Sequence, residues 1–180
     1  MSYDLIIFRP KSNVSLDWIN TFLMSDEAND ENADQEAVDA KYIDVEIGHN
    51  ELTSLVAGPM IQALCDQDYT QDEIDEWIEE PDYDSELAEC METVLEYHEG
   101  YKIMISIAGM SKKRRLPEKL WESFEELHDR GLCVFDPQLG RVLDIGDDHE
   151  EFVESFKELS ETYEDEDDYN PYGEDDDEEY

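Results

Sequence analysis

The side chains able to do chemistry are few and poorly grouped. Metalloprotease chemistry needs two histidines one helical turn apart with a glutamate between them, so that three ligands converge on one ion and a position stays open for water. His49, His98, His128 and His149 offer no such pair. His98 lies eight residues after Cys90, about two helical turns on, and can meet Cys65 only through tertiary structure. Cys65, Cys90 and Cys133 are odd in number and widely spaced, which suggests neither a disulfide framework nor a CxxC metal knuckle, and they read as buried thiols. Cys133 beside Asp136 is not a nucleophile signature, because a cysteine near an acid arises in almost any chain. The C-terminal run comes partway to a calcium loop. From Asp168 as first position, Asn170, Gly173 and Glu179 fall at the third, sixth and twelfth, but Pro171 and Tyr172 occupy the fourth and fifth and no helix follows. Loose divalent-cation binding fits this better than a dedicated site. There is no GxSxG elbow, no GxxxxGK[ST] loop and no GxGxxG turn, and among 52 acids no carboxylate pair stands out for acid/base work. The expectation is a protein with no catalytic residues, no metal and no cofactor, and not an enzyme.

Charge is the stronger signal. The 180 residues carry 52 Asp and Glu against 12 Lys and Arg, a formal net charge of -40, which repels nucleic acid and excludes direct phosphate binding. Residues 161–180 hold 12 acids and no base, which leaves -28 on the first 160, so the tail does not account for the acidity. Between Lys41 and Lys102 lie 60 residues without a base and with 18 acids, concentrated in the stretch from Asp66 to Glu99. Glu89, Glu92, Glu96 and Glu99 recur at three- and four-residue spacing, a stripe in which each like-charged neighbour pair costs about 0.2–0.5 kcal/mol. Interspersed lysines would relieve that repulsion at equal solubility. Their absence points to a field with a use: steering a basic partner into fast encounter and competing with the nucleic acid it normally holds. The acids around Trp77 add an aromatic anchor of the kind that carries interface energy. Glu73, Glu76, Trp77, Glu80, Glu89, Glu92 and Glu96 are the expected partner-binding residues. The alternative readings are that Trp77 and Ile78 simply pack inward, or that the acidity belongs to a salt-adapted host.

The elements that must carry this face can be read coarsely. Tyr3–Phe8 is an apolar run closed by Arg9-Pro10, as a buried strand is. A helix follows, with Leu16, Ile19, Phe22 and Leu23 inward, and residues 26–39 form an acidic loop or frayed helix end. Tyr42–Ile47 alternates like a strand with one wet face. Leu52 to Leu64 reads as one helix kinked near Gly58-Pro59, or as two pieces. Thr70 and Glu73 make a capping-box pattern, and residues 86–99 an amphipathic helix with Leu87, Cys90, Met91 and Val94 inward. Lys102–Ala108 is the expected central strand. Pro117 opens a helix that Gly131 stops, residues 132–135 and 141–145 form a hairpin, and residues 148–159 form a last helix. The tail from 161 to 180 has no aliphatic residue and is expected to be disordered. Lys112–Arg115, a run of four bases, reads as pairing with the protein's own acids. These elements predict a single α+β domain over residues 1–160, a ferredoxin-like split βαβ sandwich with residues 50–99 inserted as an acidic helical block between its second and third strands.

The opening Met1-Ser2-Tyr3-Asp4-Leu5 is similar to the start of a group of small bacterial proteins. The segment Arg130-Gly131-Leu132-Cys133-Val134-Phe135-Asp136-Pro137-Gln138 resembles their later helix-stop-strand motif, which also ends in Asp-Pro-Gln. The resemblance covers fewer than twenty residues and implies a compact cytoplasmic protein of immunity-protein type that neutralises a toxin. It carries over no catalytic residue. The expected function is a non-enzymatic acidic binding protein that occludes a basic protein, as an immunity protein or a nucleic-acid mimic. The alternative is a small hydrolase or divalent-metal enzyme using clustered carboxylates. No apolar run suits a membrane span and the start lacks a secretory pattern, so the expected location is cytoplasmic, with no membrane and no nucleic acid as direct partner.

Overall fold

The computed structural model describes residues 2–28, 30, 32–65, 68–94, 97–108 and 116–167. Its strands are β1 (Ser2–Phe8), β2 (Tyr97–His98), β3 (Lys102–Ala108), β4 (Cys133–Asp136) and β5 (Arg141–Val142). They form one sheet in the order β2-β3-β1-β4-β5, and every neighbouring pair is antiparallel. Successive side chains of a strand point to opposite faces, so the register decides what is buried. Tyr3, Leu5 and Ile7 stand opposite Ile107, Ile105 and Ile103, and all six are buried. The alternate positions Asp4, Ile6, Met104 and Ser106 are half-buried, and Ser106 donates to Asp4 Oδ1 at 2.7 Å.

The helices are α1 (Leu16–Leu23), α2 (Gln35–Asp39), α3 (His49–Leu64), α4 (Gln71–Glu79), α5 (Glu86–Val94), α6 (Leu116–Asp129) and α7 (His149–Asp167). Strands and helices thus make a mixed α+β fold. Tyr3 meets Phe152 and Phe156 at ring separations of 5.8 and 4.9 Å, and Phe124 meets Phe152 at 5.1 Å, which closes α6 and α7 over β1. Leu52, Val56, Met60 and Ile61 of α3 are fully buried, and α4, α5 and α6 pack around that helix. Among the described residues no helix is long and apolar enough to cross a membrane.

Several local signals act as expected. Gly131 (φ +79°) ends α6 in a Schellman motif: its N–H reaches the His128 carbonyl at 2.9 Å, and Leu132 N–H reaches that of Leu127 at 3.0 Å. β4 and β5 form the hairpin. Asp136 Oδ1 accepts the N–H groups of Gln138 (2.8 Å) and Leu139 (3.1 Å), so Asp-Pro-Gln is here a side-chain-stabilised turn. Tyr3 also donates to Asp136 Oδ2, so the two segments of the resemblance touch in the core.

Other expectations are corrected. Residues 42–47 are not a strand: β1 already has β3 and β4 on its two edges, and only an isolated bridge, Pro10 to Ile43, survives. Ile43 and Ile47 are buried without joining the sheet. The acidic helices therefore lie between β1 and β2, not between a second and a third strand. The helix expected over 86–99 stops at Val94, because Tyr97–His98 pairs with Met104 and Ile103. Glu99 sits in the following turn, ion-paired to Lys102 at 2.8 Å, which removes it from the helical stripe. Gly58-Pro59 does not break α3, which runs unbroken from His49 to Leu64. A short helix, α2, capped by Asp34, replaces the end of the expected acidic loop. The last helix runs on to Asp167, past the boundary placed at 160. The Lys112–Arg115 run and the tail from 168 onward, with its partial calcium pattern, lie outside the described residues.

Candidate functional site

The acidic helices enclose a cleft of about 430 Å³. Its formation begins with a local signal: Thr70 and Glu73 close a reciprocal capping box, with Thr70 N–H and Oγ1 both on Glu73 Oε2 at 2.8 and 2.7 Å. The cap starts α4 with Ile74 facing the core and Trp77 and Ile78 about one turn on, partly buried against it. After α4 the chain turns at Pro81-Asp82-Tyr83. Trp77 Nε1 donates to the Asp82 carbonyl at 3.1 Å, and its ring meets Tyr83 edge-on at 5.8 Å and 78°. Tyr83 is 75% exposed. These four residues, Trp77, Ile78, Pro81 and Tyr83, form one wall of the cleft.

Met91 and Glu92 of α5, with His49, Asn50 and Thr53 from the start of α3, complete the lining. Beneath them His98 is fixed by two hydrogen bonds. Its Nδ1 accepts the Gly100 N–H at 2.8 Å, so the ring proton of the neutral form sits on Nε2 and donates to Thr53 Oγ1 at 3.1 Å. His49 lies against it with ring centroids 3.9 Å apart. Burial, and then repulsion from His49, hold the His98 imidazole down to about 4, so it is uncharged at neutral pH.

The expected binding residues fall into three groups. Trp77 and Glu92 line the cleft together. Glu73 and Glu76 on α4, Glu80 just after it and Glu89 on α5 are exposed and do not line it, and Glu96 lies outside the described residues. Glu73 has a local duty as well, since the Thr70 donors hold its carboxyl below the usual range. Trp77 is neither a free anchor nor an interior residue: it packs partly on the core and shows its remaining surface to the cleft. His49, which in sequence is no more than an unpaired candidate metal ligand, Met91, an inward helix position, and Thr53, which carries no signal, come together only because α3 packs on α4 and α5. Tyr83, six residues after Trp77, reaches it through the turn that follows α4.

The ion pairs explain why the acidity stays exposed here. Arg9 pairs with Glu51, Lys41 with Glu27, Lys102 with Asp39 and Glu99, Arg130 with Glu126, and Arg141 with Asp148 and Glu151. Among the described residues Glu76, Glu80 and Glu92 enter no ion pair. Among the described residues no group of three or more His, Cys, Asp or Glu side chains is placed to hold a metal. Burial pushes the Cys133 thiol up to about 11, which leaves it protonated and unreactive at neutral pH. Comparison with protein-family models, curated proteins and solved structures finds no match for this chain.

Proposed function

We propose that the protein is a non-enzymatic acidic binding protein, of immunity-protein or nucleic-acid-mimic type, which occludes a basic protein partner in the cytoplasm. The observation that carries this reading is the pairing of Trp77 with Glu92 at one cleft, with Glu76 and Glu80 exposed and in no ion pair among the described residues. Aromatic anchors supply most of an interface's energy, whereas surrounding charges set the encounter rate and the choice of partner. Glu76 of α4 and Glu80 just after that helix are both exposed, and a basic surface would gain by pairing with their carboxylates. The 12 acids of residues 161–180, with no base among them, strengthen the long-range field that attracts the same partner.

The fold enters the same proposal. We read the sheet as a ferredoxin-like split βαβ, which the order β2-β3-β1-β4 with antiparallel neighbours supports, and α3 to α5 as its acidic helical block. A pull-down from the native host, washed first at low and then at high salt, tests the function. The expected result is a basic protein that elutes as salt rises, because exposed charges are screened within about 10 Å at 0.1 M. The Glu76→Gln/Glu80→Gln variant should retain its fold and release that protein at lower salt. Turnover of a substrate by the purified protein alone, or capture unchanged by salt, overturns the reading.

A further inference from the structure

The cleft has a chemistry more specific than the acidic face around it. We propose that it receives one arginine side chain of the partner, with the guanidinium laid against Trp77 and Tyr83 and its charge facing Glu92. This rests on the proposed binding of a basic protein.

At about 430 Å³ the cleft is roomy enough for a long side chain, within the roughly 300–1,000 Å³ common for ligand sites. Ile78 and Pro81 offer apolar surface for the methylene stem. Trp77 and Tyr83, edge-on to each other, expose ring surface toward the same space, and aromatic faces attract cations through their quadrupole. The charge needs acceptors: Glu92 supplies a carboxylate, and Asn50, also in the lining, an amide oxygen. The imidazole of His98 adds no competing positive charge, because its two nitrogens are committed to Gly100 and Thr53 in the neutral form. Arginine fits these walls better than lysine. Its planar guanidinium is weakly hydrated and stacks on rings, whereas an ammonium gives up a strong hydration shell on entering apolar surroundings.

The experiment is an NMR titration of the full chain, following the indole N–H resonance of Trp77 with N-acetyl-Gly-Arg-Gly amide and with its lysine and citrulline counterparts. The arginine peptide should shift that resonance saturably, the lysine peptide should bind more weakly, and the uncharged citrulline peptide should leave it in place. Tyr83→Ala removes a side chain that is 75% exposed and should weaken arginine-peptide binding by roughly two- to fivefold. Glu92→Gln should weaken it too and reduce its salt dependence. Equal binding of citrulline, no Trp77 shift with any peptide, or arginine binding untouched by both variants overturns the assignment. The two readings fail separately. A salt-eluted host protein captured by a chain that ignores the arginine peptide keeps the acidic face and removes the cleft. Arginine-peptide binding with no basic protein captured keeps the cleft and removes the protein partner.

Discussion

Arg130 Nη1 donates to the Leu55 carbonyl at 3.1 Å, and that carbonyl is the acceptor left without an N–H by Pro59, four residues further along α3. The same nitrogen reaches Gln71 Oε1 at 3.2 Å. The Gln71 amide in turn donates to the Ser54 carbonyl at 3.1 Å and to Asp75 Oδ1 at 2.9 Å. Gly58 makes room for this bridge, since a Cβ there would lie 2.4 Å from Gln71 Oε1. On the far side, Ser123 of α6 donates to the Pro59 carbonyl at 2.9 Å. A Gly-Pro pair that reads as a break is therefore carried through the helix by side chains from α4, α6 and the residue after α6.

Replacing Arg130 with Met should keep the apolar stem and leave the Leu55 carbonyl without its donor. An unsatisfied buried acceptor costs about 1–3 kcal/mol. At about 2–4 °C per kcal/mol for a chain of this size, the melting temperature should fall by several degrees. Urea denaturation of the two proteins checks it, and a midpoint equal to that of the wild type would show that the carbonyl has another donor.

Gly58→Ala should change sign with its background. Alanine favours an α-helix over glycine by about 1 kcal/mol, but in the native chain its methyl must displace the Gln71 side chain and loosen the bridge. The single substitution should destabilise. In a Gln71→Ala background the obstacle is gone, and the same substitution should stabilise by about 0.5–1 kcal/mol. A double-mutant cycle by chemical denaturation reads this directly.

Tyr3→Phe should cost about 1–3 kcal/mol by removing a donor from the buried carboxyl of Asp136. Burial raises that carboxyl above its ordinary 3.8 despite the lowering effect of Tyr3, Leu139 and Gln138. A group whose pKa is raised on folding contributes stability that is complete below its unfolded value and is lost as pH rises through the folded value. Relative to Asp136→Asn, the wild type should therefore gain stability as pH falls toward 3.8. Stability curves of both proteins across that range test the sign.

His98 should act in the opposite sense. Its imidazole drops from 6.5 to about 4 on folding, so its contribution is present above 6.5 and is lost as pH falls through 4. His98→Gln should flatten the part of the acid profile that lies between those values. Thermal melts from pH 7 to pH 4 measure it, and parallel profiles for the two proteins would mean that the ring is not held neutral.

The parts of the fold that were legible in the sequence are those decided within a few residues. The Thr70–Glu73 box, the stop at Gly131 and the β4–β5 turn each follow from side chains that reach their own neighbouring backbone. Residues 42–47 show the limit: their alternation suits a strand, yet a strand needs a free edge, and whether β1 has one is settled by β3 and β4, far along the chain. The cleft follows the same division. Trp77 and Glu92 were visible as an aromatic among acids, whereas the His49–His98 stack joins residues from the start of α3 and the sheet edge and has no local signature. The β2–β3 hairpin was hidden because Glu96 and Glu99 extend the helical spacing past the point where α5 ends.

The outermost strands, β2 and β5, are two residues long each. A border that short gives a passing chain almost no ladder to extend, and the charge of the surrounding surface makes close approach of a second copy costly. The sheet therefore ends on both sides in borders that resist joining to a second sheet.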